Sequence, residues 1–304
     1  MIRYLAFCKI LEYGSFTRAA ESLGYTQAAV SQMITSLENE LSLKLLIRTR
    51  SGVHLTPEGS QIYPMIQKSV SAARELADKV KEINGLESGE VRIGIFSSMS
   101  QHVLPGIIKA FGDLYPSISF VLYQGDNKTF PTWLKNGIID FAFMYPEVSS
   151  GFKTDTIATE QFLAVLPKNH PLAQVETVPL KDLAAEPLII VEEGGHINTA
   201  LRAFSTLETS PNVKFRIQDD ATILAMVEKG LGVSLLSAMT LEHSTYQFQK
   251  RPTVPPVERT ICVAYEDPAL LPIAAKRFLN FMYEHLHEYM NGAYVHTLQV
   301  PPLK

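Results

Sequence analysis

The 304-residue chain carries 27 Lys and Arg against 31 Asp and Glu, a formal net charge of −4, with 46% hydrophobic and 19% charged residues. That length allows two or three domains, and the balance excludes both a disordered chain and a protein that coats nucleic acid by bulk charge. Its two cysteines, Cys8 and Cys262, are too few for a disulfide framework or a zinc cage and suit buried positions in a reducing compartment.

No apolar run approaches the roughly 20 residues of a spanning helix, and the start MIRYLAFCKILEYG mixes charged with apolar residues, unlike a secretory signal, so no membrane partner and a cytoplasmic location are expected. Charge is uneven along the chain. Residues 1–84 hold 10 Lys and Arg against 8 Asp and Glu, the remainder 17 against 23, which fits a modular protein with one local surface for an acidic partner.

Residues 1–12 predict a first helix with Tyr4, Leu5, Cys8 and Leu11 on its buried side. The tract SFTRAAESLGYTQAAVSQMITSLENEL (15–41) then predicts two helices and a tight turn. Thr17 is placed to cap the first, Gly24 to end it in a left-handed conformation, and Thr26 to cap the second. Val30, Ile34, Leu37 and Leu41 recur at spacings of 4, 3 and 4 and turn one side inward. At about 100° per residue, Ala28, Ser31, Gln32 and Thr35 gather roughly 150° away from that stripe. A solvated helix would carry Lys and Glu there, whereas a helix entering a DNA major groove needs short side chains. Gln27 and Gln32 can pair with adenine, Ser31, Thr35 and Thr26 can reach bases or phosphates, and Ala28 can meet a thymine methyl. The competing reading is an ordinary helical hairpin with a polar surface.

LIRTRSGVHLT (46–56) predicts two short strands around Arg50-Ser51-Gly52, a hairpin that can place Arg48, Arg50 and His54 beside a phosphate backbone. The same three side chains also fit solvated charges at a turn, and Arg48 also fits a salt bridge holding the hairpin to the domain. From Thr56 or Pro57 a helix extends to about Gly85, roughly 40 Å long. Ile62, Ile66, Ser69, Ala73, Leu76, Val80 and Ile83 give it a heptad-like seam whose natural partner is a second copy of the chain; Pro64 is expected to bend it. GLESGE (85–90) supplies a hinge.

Beyond it strand and helix signals alternate: VRIGIF, a helix over Ile107–Leu114, ISFVLYQ, a helix near Thr132–Asn136, and IDFAFMY. A second unit has strands near FLAVLP, PLIIVE, VKFRIQ and GVSLLS, with helices near His196–Thr206 and Ala221–Lys229. ERTICVAYE and a helix over Pro272–Met290 return the chain to the first unit. Nearly continuous apolar strands of this kind form parallel sheets covered on both faces. Residues 291–304 predict a loose tail in which Tyr294, Val295 and Leu298 are available to dock.

The tract with Ala19-Ala20, Leu23, Thr26-Gln27, Ala29-Val30-Ser31, Ile34 and Leu37-Glu38 resembles the helix-turn-helix of LysR-type transcriptional regulators. Leu45-Leu46, Arg48, Val53, Leu55-Thr56 and Gly59 continue the resemblance through that family's winged segment. It departs from the family at Ser51 and His54, where basic residues are frequent, which implies a weaker wing contact that a tetramer would offset. The fold implied is an N-terminal all-α winged helix-turn-helix domain (1–58), a linker and dimerisation helix (59–87), and a C-terminal α/β effector domain (88–292). That last domain is expected to consist of two Rossmann-like subdomains, 88–160 with 266–292 and 161–265, similar to periplasmic solute-binding proteins, joined by crossovers near 145–162 and 265–270 and followed by a tail (293–304).

Ligands on such sheets bind beyond the C-terminal strand ends. Candidate effector contacts are therefore Ser97, Ser98, Met99 and Ser100 after the first strand, Gly125 and Asn127 after the second, and Tyr145 after the third. Gly194, His196 and Ser234 are the candidates from the other unit. Helix capping explains the serines equally well. No H-E-x-x-H, G-x-S-x-G, Walker loop or Cys/His metal set occurs, so neither enzyme nor cofactor is expected. The expected function is promoter DNA binding by a homodimer, assembled further into a homotetramer and controlled by a small-molecule effector. The alternative is a cytoplasmic sensor or solute-binding protein acting through protein partners.

Overall fold

The computed structural model describes residues 1–49, 52–83, 88–126, 128–192, 199–207, 210–242, 244–290, 292 and 294–303. The candidates Arg50, Asn127, Gly194 and His196 lie outside these described residues, as do Ser51 and residues 85–87 of the 85–90 hinge. The chain divides into two compact units, residues 1–86 with 132–139, and residues 87–131 with 140–304.

In the first unit, helices α1 (Ile2–Tyr13), α2 (Phe16–Leu23) and α3 (Gln27–Leu41) precede a hairpin of β1 (Leu46–Thr49) and β2 (Gly52–Leu55), and then α4 (Pro57–Ile83). The buried face of α1 is Ala6, Phe7 and Ile10, with Tyr4, Cys8 and Leu11 packed around it. That helix is apolar on nearly every side, so periodicity alone misplaced its innermost face. Ser15, not Thr17, caps α2 by accepting from the Arg18 amide, because the helix must start early enough to bury Phe16. Gly24 is left-handed at φ +71° and Thr26 accepts from the Ala29 amide, as the sequence predicts. Val30, Ile34 and Leu37 complete the core.

One junction fixes the hairpin to the helices. Glu38, 8% exposed, accepts from the Leu45 amide at 2.9 Å and from Lys44 Nζ at 2.6 Å. Thr56 Oγ1 donates to the Lys44 carbonyl at 2.6 Å and accepts from the Gly59 amide at 2.8 Å, capping α4. The helix then crosses so close to β1 that a Cβ on Gly59 would lie 2.2 Å from the Leu45 carbonyl oxygen.

Pro64 sits inside α4. Its seam divides in two: Ile62 and Ile66 pack on the core, whereas Leu76, Val80 and Ile83 are 67%, 48% and 75% exposed. Residues 132–139, expected in the effector domain, join this unit because Asn136 Nδ2 donates to buried Gln67 at 3.0 Å and Gly137, at φ +64°, lies tight over Ser71.

The second unit begins with β3 (Gly89–Ile95), α5 (Ser97–His102), α6 (Leu104–Leu114), β4 (Ile118–Gln124), α7 (Thr129–Lys135), whose last turn belongs to the first unit, and β5 (Phe141–Met144). The chain continues through β6 (Lys153–Leu166), β7 (Val178–Pro179), α8 (Leu180–Ala185), β8 (Leu188–Val191), α9 (Thr199–Ser205), β9 (Val213–Ile217), α10 (Asp220–Glu228), β10 (Ser234–Ser237) and α11 (Ala238–Glu242). β11 (Gln249–Arg251), β12 (Thr253–Val254), β13 (Val257–Tyr265), α12 (Ile273–Tyr289) and β14 (Val295–Thr297) complete it. Parallel β4, β3 and β5 form one end of a large sheet and parallel β8 and β9 a separate two-stranded sheet, over two hydrophobic clusters to both of which β8 contributes. Antiparallel β13 and β6 continue the large sheet beyond β5, paired from Lys153↔Tyr265 to Phe162↔Val257 with a bulge between Ile261 and Cys262, and their side chains enter both clusters.

Both crossings are thus made by strands. The return lies within β13, upstream of the expected 265–270, because nine extended residues span roughly 30 Å and need no separate loop. Residues 295–297 are no loose tail: β14 pairs with β6, Val295 is buried and the Leu303 amide donates to Asn280 at 2.7 Å.

Gly59→Ala should destabilise the chain by about 1–3 kcal/mol, since the added methyl meets backbone that can move only with β1. Urea unfolding followed by circular dichroism checks this; an unchanged midpoint would mean the α4–β1 crossing is looser than described.

Candidate DNA-binding surface and effector cleft

On α3, Thr26, Gln27, Ala28, Gln32 and Thr35 are exposed and Ser31 is half-buried, so the six candidate residues share the outer surface opposite Val30, Ile34 and Leu37. Thr35 Oγ1 donates back to the Ser31 carbonyl at 3.0 Å, and Thr26 is occupied as the cap. Gln27 and Gln32 carry the amides of that surface.

Arg48 is exposed on β1 but held in place: its Nη2 donates to Ser31 Oγ at 3.0 Å and its guanidinium lies 3.8 Å from the Phe16 ring centroid. It therefore fastens the hairpin to α3 by stacking and a hydrogen bond while keeping its charge at the surface. His54 is exposed on β2, paired across from Ile47. Burial alone would raise the Glu38 pKa, but the Lys44 ammonium and the amides of Leu45 and Leu46 outweigh it and hold the carboxyl below its usual range. Ionised Glu38 thereby ties the C-terminal end of α3 to the hairpin.

The second unit encloses a cleft of about 330 Å³ at the C-terminal ends of its parallel strands. Ser97 and Ser98 follow β3; Gln124, Gly125 and Asp126 follow β4; Tyr145 follows β5. From the opposite side come Glu192 after β8, Gln218 and Asp220 after β9, Ser237 at the end of β10 and Thr240 beyond it. Phe96, Phe130 and Phe162 add aromatic wall.

Of the effector candidates, the cleft therefore gathers Ser97, Ser98, Gly125 and Tyr145. Ser97 accepts from Gln124 Nε2 at 2.9 Å. Met99 is fully buried in the hydrophobic core, because a helix of six residues turns it away from its neighbour Ser98. Ser100 donates to the Ser97 carbonyl and stands off the cleft wall. Ser234 is fully buried and donates to the Ile189 carbonyl at 2.7 Å, joining the β10 edge to β8. Met99, Ser100 and Ser234 therefore do not line the cleft.

Arg259 organises the cleft floor. It pairs across strands with Glu160: the two are register partners, their side chains are 6% and 0% exposed, and a short Nε–Oε1 hydrogen bond joins them. Arg259 Nη1 donates to Tyr145 Oη at 2.5 Å and Nη2 to Ser98 Oγ at 3.0 Å. Phe96, Tyr145 and Phe162 surround its guanidinium at 4.9, 5.3 and 5.2 Å. Asp220 accepts from Thr240 at 3.3 Å, and burial raises its pKa against the opposing pull of Arg259 and Thr240.

Reading the sequence for loops after strands missed Arg259 and Glu160, which sit inside strands. A signal existed: Arg259 shares the parity of Val257 and Ile261, and Glu160 that of Ala158 and Phe162, all buried, so two opposite charges stand on inward strand positions. Burial pushes the thiols of Cys8 and Cys262 up to about 12 and about 11, so neither is a reactive thiolate at neutral pH.

An exposed two-helix reader with a hairpin beside it, and an α/β unit with a polar cleft at its strand ends, define a DNA-binding regulator with a ligand-sensing domain. Residues 3–60 match the family model described as bacterial regulatory helix-turn-helix protein, lysR family, and residues 84–287 match the LysR substrate binding domain. The chain is 32% identical over 286 residues to the HTH-type transcriptional regulator YvbU of Bacillus subtilis, covering 91% of this chain and 96% of that one. Among solved structures it is similar to HinK, a LysR family transcriptional regulator from Pseudomonas aeruginosa, with TM-score 0.61, 26% identity and 93% and 97% coverage. It is also similar in fold to full-length CbnR complexed with its target DNA, with TM-score 0.68, 20% identity and 93% and 98% coverage. The protein belongs to the LysR family of transcriptional regulators: its helix-turn-helix binds DNA, its C-terminal domain binds an effector, and it is not an enzyme.

Removing one partner of the Arg259–Glu160 pair leaves the other charge buried, which typically costs about 3–5 kcal/mol. Arg259→Met should therefore destabilise strongly, and adding Glu160→Met should recover much of the loss in a double-mutant cycle. Additive losses in denaturant titrations would show that the two side chains are not coupled.

Proposed function

We propose that the protein binds promoter DNA as a dimer of dimers, at an interrupted palindrome, and that a small metabolite closing the cleft changes the spacing of its DNA readers. The exposed, uncharged surface of Gln27, Ala28, Gln32 and Thr35 on α3 carries this reading, since each side chain is short enough for major-groove entry. CbnR, similar in fold, is described with its target DNA bound. Arg48 and His54 on the hairpin, together with Arg50, supply the phosphate contacts that set orientation while the α3 amides read bases.

Dimerisation runs along the far half of α4. Leu76, Val80 and Ile83 form an apolar stripe at heptad spacing, and a helix of 27 residues exposing such a stripe gains by pairing with a copy of itself. The metabolite shifts the DNA-bound form only by binding one arrangement of the effector domain more tightly than the other. Among the described residues no helix is long and apolar enough to cross a membrane, and the setting we infer is the cytoplasm.

Gln32→Ala should weaken specific binding by about 1–3 kcal/mol and leave nonspecific binding nearly intact, whereas Arg50→Ala should weaken both and lower the salt slope by about one. Gel shifts across a salt series read both effects; an unchanged slope in Arg50→Ala would remove that residue from the phosphate contacts. Leu76→Glu with Ile83→Glu should lower the mass of the assembly in light scattering, and an unchanged mass would place dimerisation elsewhere.

A further inference from the structure

The charge of the cleft depends on which of its groups are already satisfied. Arg259 is the one base among the described lining residues, and it is committed: Glu160, with no exposed side-chain surface, holds it across the strand register, and Tyr145 and Ser98 take further donors. Its positive charge is cancelled within the floor.

Three acids remain on the wall, Asp126, Glu192 and Asp220. Oδ1 of Asp126 is engaged in capping α7, accepting from the amides of Lys128 and Thr129 at 3.0 Å, and is the least available. Glu192 is exposed at the rim. Asp220 is half-buried; beyond its 3.3 Å hydrogen bond from Thr240 it forms no ion pair among the described residues. Burial destabilises its charge and leaves it short of a cation, consistent with its raised pKa. An anionic effector would enter this cleft against carboxylates, with the floor's cation already neutralised. A cationic one would meet Asp220 and Glu192 across a space walled by Phe96, Phe130 and Phe162, rings that also favour a cation.

We propose that the effector is a small metabolite bearing at least one protonated amine or guanidinium, seated in the cleft with its charge against Asp220 and Glu192. The proposal rests on the reading of the cleft as the effector site and adds the chemical class.

The test titrates the full-length protein, by thermal shift and calorimetry, with 1,4-diaminobutane, 1,5-diaminopentane and agmatine, and in parallel with succinate, glutarate and adipate. The expected result is saturable stabilisation by at least one cation. Its Kd should weaken at least tenfold in Asp220→Asn, and in Glu192→Gln it should weaken less. Glu192 is exposed, so its variant carries the same test if Asp220→Asn fails to fold. Stabilisation by a dicarboxylate alone, by neither series, or by a cation whose Kd neither substitution changes overturns the proposal. A promoter footprint run with each stabilising compound keeps the two readings apart. A dicarboxylate that alters it sinks the cationic class and leaves the effector reading standing, whereas a footprint unmoved by every bound compound sinks the effector reading.

Discussion

The effector domain is built around the buried ion pair of Arg259 and Glu160. β6 and β13 lie side by side in the large sheet and send side chains into both hydrophobic clusters, and at their register position 160↔259 they carry Glu160 and Arg259 on the inward face. A buried charge left alone is expensive, so each residue compels the other, and the pair specifies the relative register of the two strands. A slip of one residue by either strand would turn its charge to the opposite face, away from its partner's, and expose the apolar positions beside it. Because Arg259 also reaches Ser98 and Tyr145, at the ends of β3 and β5, the same pair that sets the register places the polar rim of the cleft. Fold and site are thus fixed by the same side chains.

An analogous economy operates at the amino end. Glu38 and Thr56 converge on residues 44–46 and bind the end of α3, the start of the hairpin and the start of α4 to one short segment of backbone. Arg48 closes the arrangement from the other side by stacking on Phe16 and bonding to Ser31. A reading helix held at both ends in this way presents its amides in a fixed orientation, which lowers the ordering cost of binding a duplex. Beyond the first turns of α4 that support stops, and the exposed apolar stripe of Leu76, Val80 and Ile83 begins. This uncovered stripe is what the proposed dimerisation along the helix would bury.

Much of this organisation is legible in the sequence because it is local. The face of α3, the left-handed Gly24, the cap at Thr26, the seam of α4 and the alternation of strands and helices all depend on residues within a few turns of one another. The innermost face of α1 was harder, since a helix apolar on most sides offers no phase to read. The start of α2 was set by a tertiary demand, burial of Phe16, which local capping preferences do not register. The docking of residues 295–297 on β6 likewise needed an edge that the linear pattern does not announce.

The sequence by itself determined the reader with its polar face and the strand ends of the effector domain, since periodicity and turn chemistry are written in neighbouring residues, while the family followed from the resemblance of its helix-turn-helix residues. Only the tertiary structure decided which groups the cleft contains. Arg259 meets Glu160 from 99 positions away, and whether Ser98 or its neighbour Met99 looks into the cleft depends on how a six-residue helix is rotated by the core beneath it. Pairings of that range are chosen by the packing of whole sheets, where burial decides which charges must find each other and which are left for a ligand.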